Sequence, residues 1–229
     1  RLLYDSKTLL TDQLAKLDQT AQNGQTPDFA GLTDGLAAER EQGITIDVAY
    51  RYFATPKRKF IIADTPGHEQ YTRNMVTGAS TADAAIILID ATRVDFNGEE
   101  PALLPQTKRH SAILKLLGTP HIIVAVNKLD LLGFDRAAYE KIVSAYRKLA
   151  AQIGLNADIR FIPISALGGD NIVNPSANTP WYQGEPLLPL LENLPAAQSK
   201  TEHQPACFPV QRVARQDGSS SDDFRGYQG

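Results

Sequence analysis

The spacing of hydrophobic and polar residues changes along the chain, and this change predicts both helices and strands. Residues 2–17 place leucines at helical spacing among polar residues, which predicts an amphipathic helix. Residues 46–53 alternate with a period of two, and residues 60–63 form an apolar run. Because Pro56 lies between these two segments, they predict a β-hairpin with a turn at the proline.

Three further apolar runs, rich in Ile and Val, predict buried strands at residues 84–89, 121–126 and 161–164. Near-continuous apolar runs of this length suit strands that are covered on both faces, as in a parallel sheet. The intervening and following segments predict helices at residues 111–117, 139–153 and 186–194. The alternation of strand and helix predicts a doubly wound α/β domain with a mostly parallel sheet.

Composition narrows the range of functions. The chain has 42% hydrophobic and 21% charged residues, as globular proteins do. Its 23 basic and 26 acidic side chains give a net charge of −3, so we expect no broad cationic face for nucleic acid. Its apolar runs are shorter than the ~20 residues of a membrane span, and its single cysteine allows no internal disulfide. We therefore expect a cytoplasmic protein without a membrane partner.

Polar motifs follow three of the predicted strands, at the edge where doubly wound sheets bind their ligands. Asp64-Thr65-Pro66-Gly67 comes directly after residues 60–63. A strand-end carboxylate at Asp64 suits Mg²⁺ held through water, and the amide of Gly67 can approach a terminal phosphate. The same four residues also suit an ordinary turn, so this motif alone leaves both interpretations open.

Asn127-Lys128-Leu129-Asp130 follows the strand predicted at residues 121–126 and is the more specific motif. It offers an amide, an aliphatic stem for stacking and a carboxylate. The carboxylate of Asp130 can accept the N1–H and the exocyclic amine of guanine, whereas adenine would leave it unpaired. Sites built on such hydrogen bonds discriminate by roughly 10⁴-fold. The motif therefore predicts a guanine site.

Two weaker candidates complete the set. Ser165-Ala166-Leu167 follows residues 161–164, and its backbone can bond the carbonyl of a base. The hydroxyl of Thr45 can join the Mg²⁺ shell when a γ-phosphate is present, which would order its loop. Thr45 also suits the ordinary role of a β-branched residue at the start of a strand, and the Ser-Ala-Leu sequence alone is almost uninformative.

Taken in this order, the motifs resemble the translational class of P-loop GTPases. Residues 38–53 and 64–75 resemble more narrowly the GTPase subunits of bacterial ATP sulfurylases, the sulfate adenylyltransferases. Residues 223–227 are similar to the point where those subunits continue into a second, β-barrel domain. The resemblance implies a GTP-binding domain over residues 1–197 and the beginning of a β-barrel domain over residues 205–229.

The resemblance also implies GTP and Mg²⁺ as ligands and gives each motif residue a role. Thr45 and Asp64 would bind Mg²⁺, Gly67 would contact the γ-phosphate, and His68 would position the attacking water as the catalytic residue. The remaining residues would form the guanine pocket, with Asn127 and Asp130 on the base edge, Lys128 stacked over the ring, and Ser165, Ala166 and Leu167 in the loop at its carbonyl.

The implied activity is GTP hydrolysis that drives a small catalytic subunit in a heteromeric sulfate adenylyltransferase. That partner would transfer AMP from ATP to sulfate, and it would recognise one nucleotide state of the loops around Thr45 and Asp64. Two alternatives are a translation elongation factor that delivers aminoacyl-tRNA, and a catalytically inactive scaffold. The net charge of −3 does not favour an RNA-binding face.

Two features depart from this pattern. The phosphate loop of the class, GxxxxGK followed by Ser or Thr, is absent from the sequence. We therefore expect that the chain lacks the first strand and this loop. We also expect that alone it binds GTP very weakly and hydrolyses it negligibly, because the loop's amides and lysine are the main partners of the phosphates. The stretch at residues 93–105 is longer than the class requires, and we expect a surface loop there.

Overall fold

The computed structural model describes residues 1–6, 29, 39, 41, 44–98, 101–195 and 210, together with the backbone of residues 212–214 and 226–228. Two compact units divide the chain at Leu194, the first being Arg1–Leu194 and the second Pro195–Gly229. The strands of the first unit are β1 (Ala49–Ala54), β2 (Lys59–Asp64), β3 (Ala84–Asp90), β4 (His121–Asn127) and β5 (Asp158–Pro163). Its α-helices are α1 (Leu2–Asp5), α2 (Thr72–Ala79), α3 (Pro105–Leu117), α4 (Arg136–Ile153) and α5 (Leu187–Glu192).

Strands β1 and β2 form the predicted antiparallel hairpin, in a register that pairs Ala49 with Asp64. The first strand begins at Ala49, three residues later than the alternation predicts. The reason lies in the backbone of Ile46 and Asp47, whose N–H groups both donate to the buried carboxylate of Glu39, at 3.0 and 3.2 Å. Because these donors are occupied by a side chain, they do not extend the ladder.

Strands β3, β4 and β5 form a parallel sheet with β4 in the centre. The register pairs Asp90 with Asn127, so the carboxyl ends of β3 and β4 lie side by side. Residues 122–126 of β4 are fully buried. Burial on both faces explains why this strand is continuously apolar in the sequence.

Helices cover both faces of this sheet. On one face, β4 packs against α3 and α4 through Ile122, Val124, Leu114, Ile142 and Tyr146. On the other face, β4 and β5 pack against α5 through Ile123, Ala125, Ile162, Leu187 and Leu190. Alternate residues of β4 therefore face opposite layers, which confirms the doubly wound α/β architecture.

A guanidinium connects the hairpin to the last helix of the unit. Arg58, in the turn between β1 and β2, donates to the carbonyl oxygens of Leu191 and Leu194 at 3.2 and 2.6 Å. The neighbouring Lys57 forms an ion pair of 3.2 Å with Glu192. Cations at the carboxyl end of a helix interact favourably with its unpaired carbonyl groups. The hairpin turn is thus anchored to the end of α5.

Several expectations concern the edges of the described regions. Helix α1 covers Leu2–Asp5, and residues 7–17 of the predicted helix lie outside the described residues. In the stretch at residues 93–105, Asp95, Asn97 and Gly98 are exposed as expected, whereas Val94 and Leu103 are buried. The described part of this loop therefore also contributes to the core.

In the second unit, Arg212–Ala214 (β6) pairs antiparallel with Gly226–Gln228 (β7). The domain boundary predicted at residues 197–204 lies outside the described residues and stays a prediction. Among the helices that the structure describes, none combines the length and apolar character that crossing a membrane requires.

Candidate functional site

The carboxyl edge of the parallel sheet collects the predicted guanine motifs. Asn127 ends β4, and its side-chain Oδ1 accepts a hydrogen bond of 2.9 Å from the backbone N–H of Ala166. The two residues are 39 positions apart in the sequence. This bond joins the turn that carries Asp130 to the loop that carries Ser165 and Leu167. The structure therefore brings two of the three predicted strand-end motifs into direct contact.

Lys128 turns the chain sharply after β4. Its φ of 60° lies in the left-handed region, which is uncommon for residues other than glycine. Such a conformation costs of order 1–2 kcal/mol and needs the surrounding structure to hold it. Leu129, fully buried, anchors the short 3₁₀ helix Leu129–Leu132 that presents Asp130. The partly buried carboxylate of Asp130 is thus carried on a fixed turn.

The ammonium of Lys128 lies 2.8 Å from the carboxylate of Asp90, at the end of the neighbouring strand. Asp90 also accepts from the backbone N–H and the hydroxyl of Thr92, at 3.0 and 2.6 Å. Burial alone would raise the pKa of Asp90, but the hydrogen bonds from Lys128 and Thr92 outweigh it, so its pKa is lower than usual. The ion pair directs the aliphatic stem of Lys128 across the strand ends.

The loop after β5 is closed by its own hydrogen bonds. The buried hydroxyl of Ser165 accepts from the N–H of Gly168 at 3.0 Å, and its carbonyl accepts from Gly169 at 2.7 Å. The guanidinium of Arg1 donates to the carbonyl of Leu167 at 2.9 Å, while the Leu167 side chain is exposed. The Ser165 side chain therefore shapes the loop, and the backbone is what the loop presents to a ligand.

The segment after β2 reaches the same edge through helix α3. The side chain of Gln106 donates to the carbonyl of Gly67 at 2.8 Å. Because α3 follows β3 in a parallel sheet, its amino end lies at the carboxyl edge of the strands. A Cβ added to Gly67 would have no heavy atom within 4 Å, so an anion has room beside this backbone. Asp64 is partly buried and His68 is exposed.

The segment of Thr45 is held against the helix that follows His68. Asn74 of α2 donates to the carbonyl of Ile46 at 2.9 Å, and Glu39 accepts from the N–H of Ile46. Thr45 itself is partly buried. These hydrogen bonds hold the Thr45 segment against α2, and the pairing of Ala49 with Asp64 brings the strand that follows this segment beside the strand that ends at Asp64.

An open cleft of about 600 Å³ lies between the segment after Gly67 and the start of α3. Its lining residues are His68, Glu69, Arg93, Leu104, Pro105, Gln106 and Arg109. Arg109 forms an ion pair of 2.9 Å with Glu69, and its Nη1 atom is buried with no hydrogen-bond partner in the part of the chain that the structure describes. The pKa of the adjacent His110 is lowered by burial and by the positive charge of Arg109. A hydrogen bond with the Gly67 backbone raises the pKa and so opposes both effects.

The sequence patterns missed several of these residues. Asp90 follows a predicted strand, as Asp64 does, so the rule that identified Asp64 also applies to it. Gln106 and Arg109 lie one turn apart, and only a helix beginning at Pro105 would have placed them on one face. The role of Glu39 is visible only in the hydrogen bonds that its carboxylate accepts from two backbone N–H groups. No periodicity in the sequence indicates that role.

The oxygen ligands expected for Mg²⁺ are few. The described residues contain no group of three or more His, Cys, Asp or Glu side chains that could hold a metal by themselves. Mg²⁺ usually keeps several waters and binds through one or two protein oxygens plus substrate phosphates. A hydroxyl at Thr45 and a carboxylate at Asp64 fit that donor set, as does the open backbone at Gly67 for a phosphate.

Comparison with sequence families and relatives gives a consistent result. The model of the elongation factor Tu GTP binding domain matches residues 5–197. Over its full length the chain is 56% identical to the bifunctional enzyme NodQ of Rhizobium meliloti and covers 34% of it. It is likewise 53% identical to sulfate adenylyltransferase subunit 1 of Photobacterium profundum and covers 46% of that protein. The chain thus spans less than half the length of these relatives.

Solved structures show the same fold. The GTPase-like domain of S. cerevisiae Ski7, bound to GDP and inorganic phosphate, has a TM-score of 0.65 at 22% identity, over 83% of this chain and 44% of that chain. Bacterial selenocysteine-specific elongation factor EF-Sec has a TM-score of 0.50 at 26% identity, over 60% of this chain and 22% of that chain. The first likeness, at this identity, bears on the fold alone.

Proposed function

The chain belongs to the elongation factor Tu GTP-binding domain family. From this premise we propose that the natural polypeptide that carries this chain binds and hydrolyses GTP as the regulatory GTPase part of a sulfate adenylyltransferase, and that the chain alone, which lacks the phosphate loop, is inactive. The observation that carries the nucleotide assignment is the 2.9 Å hydrogen bond between Asn127 Oδ1 and the N–H of Ala166. It brings a carboxylate-bearing turn and a backbone loop together at one sheet edge, which is what recognition of a purine edge requires.

At the guanine end, Asp130 accepts the two N–H donors of the base edge, and its carboxylate would be left unpaired by adenine. The stem of Lys128, directed by Asp90, stacks on the ring. The loop of Ser165, Ala166 and Leu167 offers its backbone to the base carbonyl. Since the N–H of Ala166 already donates to Asn127, the base carbonyl shares or replaces this bond.

At the phosphate end, Asp64 and Thr45 would hold Mg²⁺, and the amide of Gly67 would donate to the γ-phosphate. Mg²⁺, when bound, neutralises charge that develops on the phosphate oxygens. His68 orients the attacking water. Its backbone is fixed on both sides, because Gly67 accepts from Gln106 and the N–H of Tyr71 donates to the carbonyl of His68 at 3.0 Å. Its exposed side chain is accessible to a substrate water.

The regulatory role follows from similarity to sulfate adenylyltransferase subunit 1, whose name implies a further subunit. The γ-phosphate orders the Thr45 and Gly67 segments, and a small catalytic partner subunit recognises that state. The partner transfers AMP from ATP to sulfate, giving adenosine 5′-phosphosulfate and pyrophosphate. We further propose that the protein acts in the cytoplasm, that residues 1–197 are the GTP-binding domain, and that residues 205–229 begin a β-barrel domain.

The assignment of Asp130 is tested by Asp130→Asn in the natural polypeptide that carries this chain. An amide presents a donor where xanthine carries an acceptor, so affinity for GTP is expected to fall at least about a hundredfold while affinity for xanthosine triphosphate rises. Titration with fluorescent derivatives of both nucleotides measures the two affinities.

Asp83→Asn is the matched control, because Asp83 is an exposed aspartate at the opposite end of β3. It should leave both affinities unchanged. An Asp130→Asn variant that kept its preference for GTP would contradict the proposed role.

A further inference from the structure

Side chains on one face of α3 form a hydrogen bond and an ion pair with the segment that carries His68. Arg109 and His110 follow Gln106 by three and four residues, so all three side chains project from the same side of the helix. Gln106 donates to the carbonyl of Gly67 at 2.8 Å, and Arg109 pairs with the carboxylate of Glu69 at 2.9 Å. These contacts bracket His68, with one anchor immediately before it and one immediately after it.

The first contact controls the backbone from which the imidazole projects. The carbonyl of Gly67 and the N–H of His68 belong to one planar peptide unit, so a hydrogen bond to that carbonyl fixes the orientation of the whole plane. His68 then has φ −74° and ψ 145°, an extended conformation that ends where the 3₁₀ turn Glu69–Tyr71 begins. A change in the Gln106 contact would therefore redirect the imidazole.

The second contact is the ion pair between Arg109 and Glu69, and its two partners differ in burial. Glu69 is largely exposed, whereas Arg109 is partly buried and its Nη1 has no partner among the described residues. An unpaired buried donor is costly, so an arrangement of the segment that offers Arg109 a further acceptor would gain stability. The ion pair between Arg109 and Glu69 can thus hold the Gly67–Glu69 segment in one position and still permit a second position in which Nη1 has an acceptor.

We propose that Gln106 and Arg109 are positioning residues that hold the Gly67–Glu69 segment so that His68 is aimed at the γ-phosphate. This inference rests on the proposed GTPase function and assigns part of its control to α3. Neither side chain touches the reacting atoms. Each acts through the segment, and the gain appears in the chemical step rather than in nucleotide affinity.

Amide hydrogen exchange, measured without nucleotide, tests whether Gln106 and Arg109 hold the Gly67–Glu69 segment. Gln106→Ala removes the Gln106 donor at Gly67 and leaves the His110 hydrogen bond in place. Arg109→Gln removes the ion pair with Glu69, and Glu69→Gln breaks the same pair from its exposed side. Exchange at residues 68–71 is expected to rise about fivefold in each variant, as loss of a single hydrogen bond or ion pair permits. Lys108→Ala, on an exposed position of the same helix, is the matched control and should leave exchange unchanged.

Steady-state GTP hydrolysis by the natural polypeptide that carries this chain tests the positioning role. For Gln106→Ala and Glu69→Gln, kcat is expected to fall about tenfold with KM within about twofold, because only alignment of the water is lost. Arg109→Lys keeps a cation near Glu69 and should retain more activity than Arg109→Gln.

The outcomes separate the two proposals. Unchanged exchange in all three variants contradicts the claim that α3 holds the Gly67–Glu69 segment. Increased exchange with unchanged kcat contradicts the claim that Gln106 and Arg109 position His68. A rise in KM with constant kcat also contradicts that positioning role. Failure of the unaltered protein to hydrolyse GTP overturns the proposed function instead, while the exchange result still decides whether α3 holds the segment.

Discussion

At the scale of single residues, Asp90 illustrates how two opposing effects decide a charge. Desolvation favours the neutral acid, yet one ammonium and two donors from Thr92 favour the carboxylate more strongly. The lowered pKa means that the native state binds a proton at Asp90 less readily than the unfolded chain. The ionised form therefore contributes to stability above the unfolded pKa of roughly 3.9.

Asp90→Asn should remove this contribution while keeping the size of the side chain. Because Lys128 is half exposed, the loss at pH 7 is expected to be below about 1 kcal/mol in the free energy of unfolding. The difference between the two proteins should persist above pH 4 and disappear as the pH falls through the lowered pKa of the native carboxyl. Urea unfolding at a series of pH values measures it, and a difference that did not change with pH would argue against the ion pair.

At the scale of elements, the strand-end motifs and the helical and strand periods were visible in the sequence because they rest on apolar residues and on specific side-chain chemistry. The first turns of α3 were not, since the helix begins at Pro105 rather than at residue 111. Its buried positions include Thr107 and Ser111. The Ser111 hydroxyl donates to the backbone carbonyl of Thr107 at 2.8 Å and lies 2.9 Å from the Tyr146 hydroxyl. A hydrophobic period does not detect a buried polar residue such as Ser111, whose hydroxyl is paired with a backbone carbonyl and another hydroxyl.

The same limit applies to the candidate site. The residues of the Asn-Lys-x-Asp motif could be predicted because few other sequences provide that chemistry after a buried strand. Gln106 and Arg109 could not, because their role depends on a segment about forty residues earlier in the chain. Only the folded chain shows that the carbonyl of Gly67 faces Gln106.

Helix α4 provides a test of how an element ends. It stops at Ile153, and Gly154 follows with φ 66°, where its N–H bonds the carbonyl of Ala151 at 3.1 Å. Gly154→Ala forces a Cβ into the left-handed region and is expected to lower the free energy of unfolding by about 1–2 kcal/mol. Ser144→Ala, exposed within the same helix, should change it by less than about 0.5 kcal/mol. Thermal or chemical unfolding compares them, and equal effects would exclude the backbone explanation.

At the scale of the whole molecule, the described sheet edge gathers loops that a partner can recognise. Asn74 of α2 holds the Thr45 segment, Gln106 of α3 holds the Gly67 segment, and the pairing of Ala49 with Asp64 joins the two strands that these segments flank. A nucleotide that moved one of them would therefore affect the surface formed by both. The proposed coupling to a second subunit depends on that shared movement.

Co-elution of the natural polypeptide with a small nucleotidyltransferase subunit tests this coupling. In gel filtration, we expect at least about tenfold tighter association with a non-hydrolysable GTP analogue than with GDP, as a coupling of about 1.4 kcal/mol gives. Retention of aminoacyl-tRNA in place of the subunit would support a delivery factor instead, and equal association in both nucleotide states would contradict the switch.

The anchor of Arg58 on the end of α5 has a consequence for biosynthesis. Its acceptors, Leu191 and Leu194, lie 133 and 136 residues further along the chain. Ribosomes deliver the hairpin long before this helix, at about 5–20 residues per second. The nascent hairpin consequently spends several seconds outside the exit tunnel before its guanidinium meets those carbonyl oxygens, and chaperones that shield aromatic strands can bind during that interval.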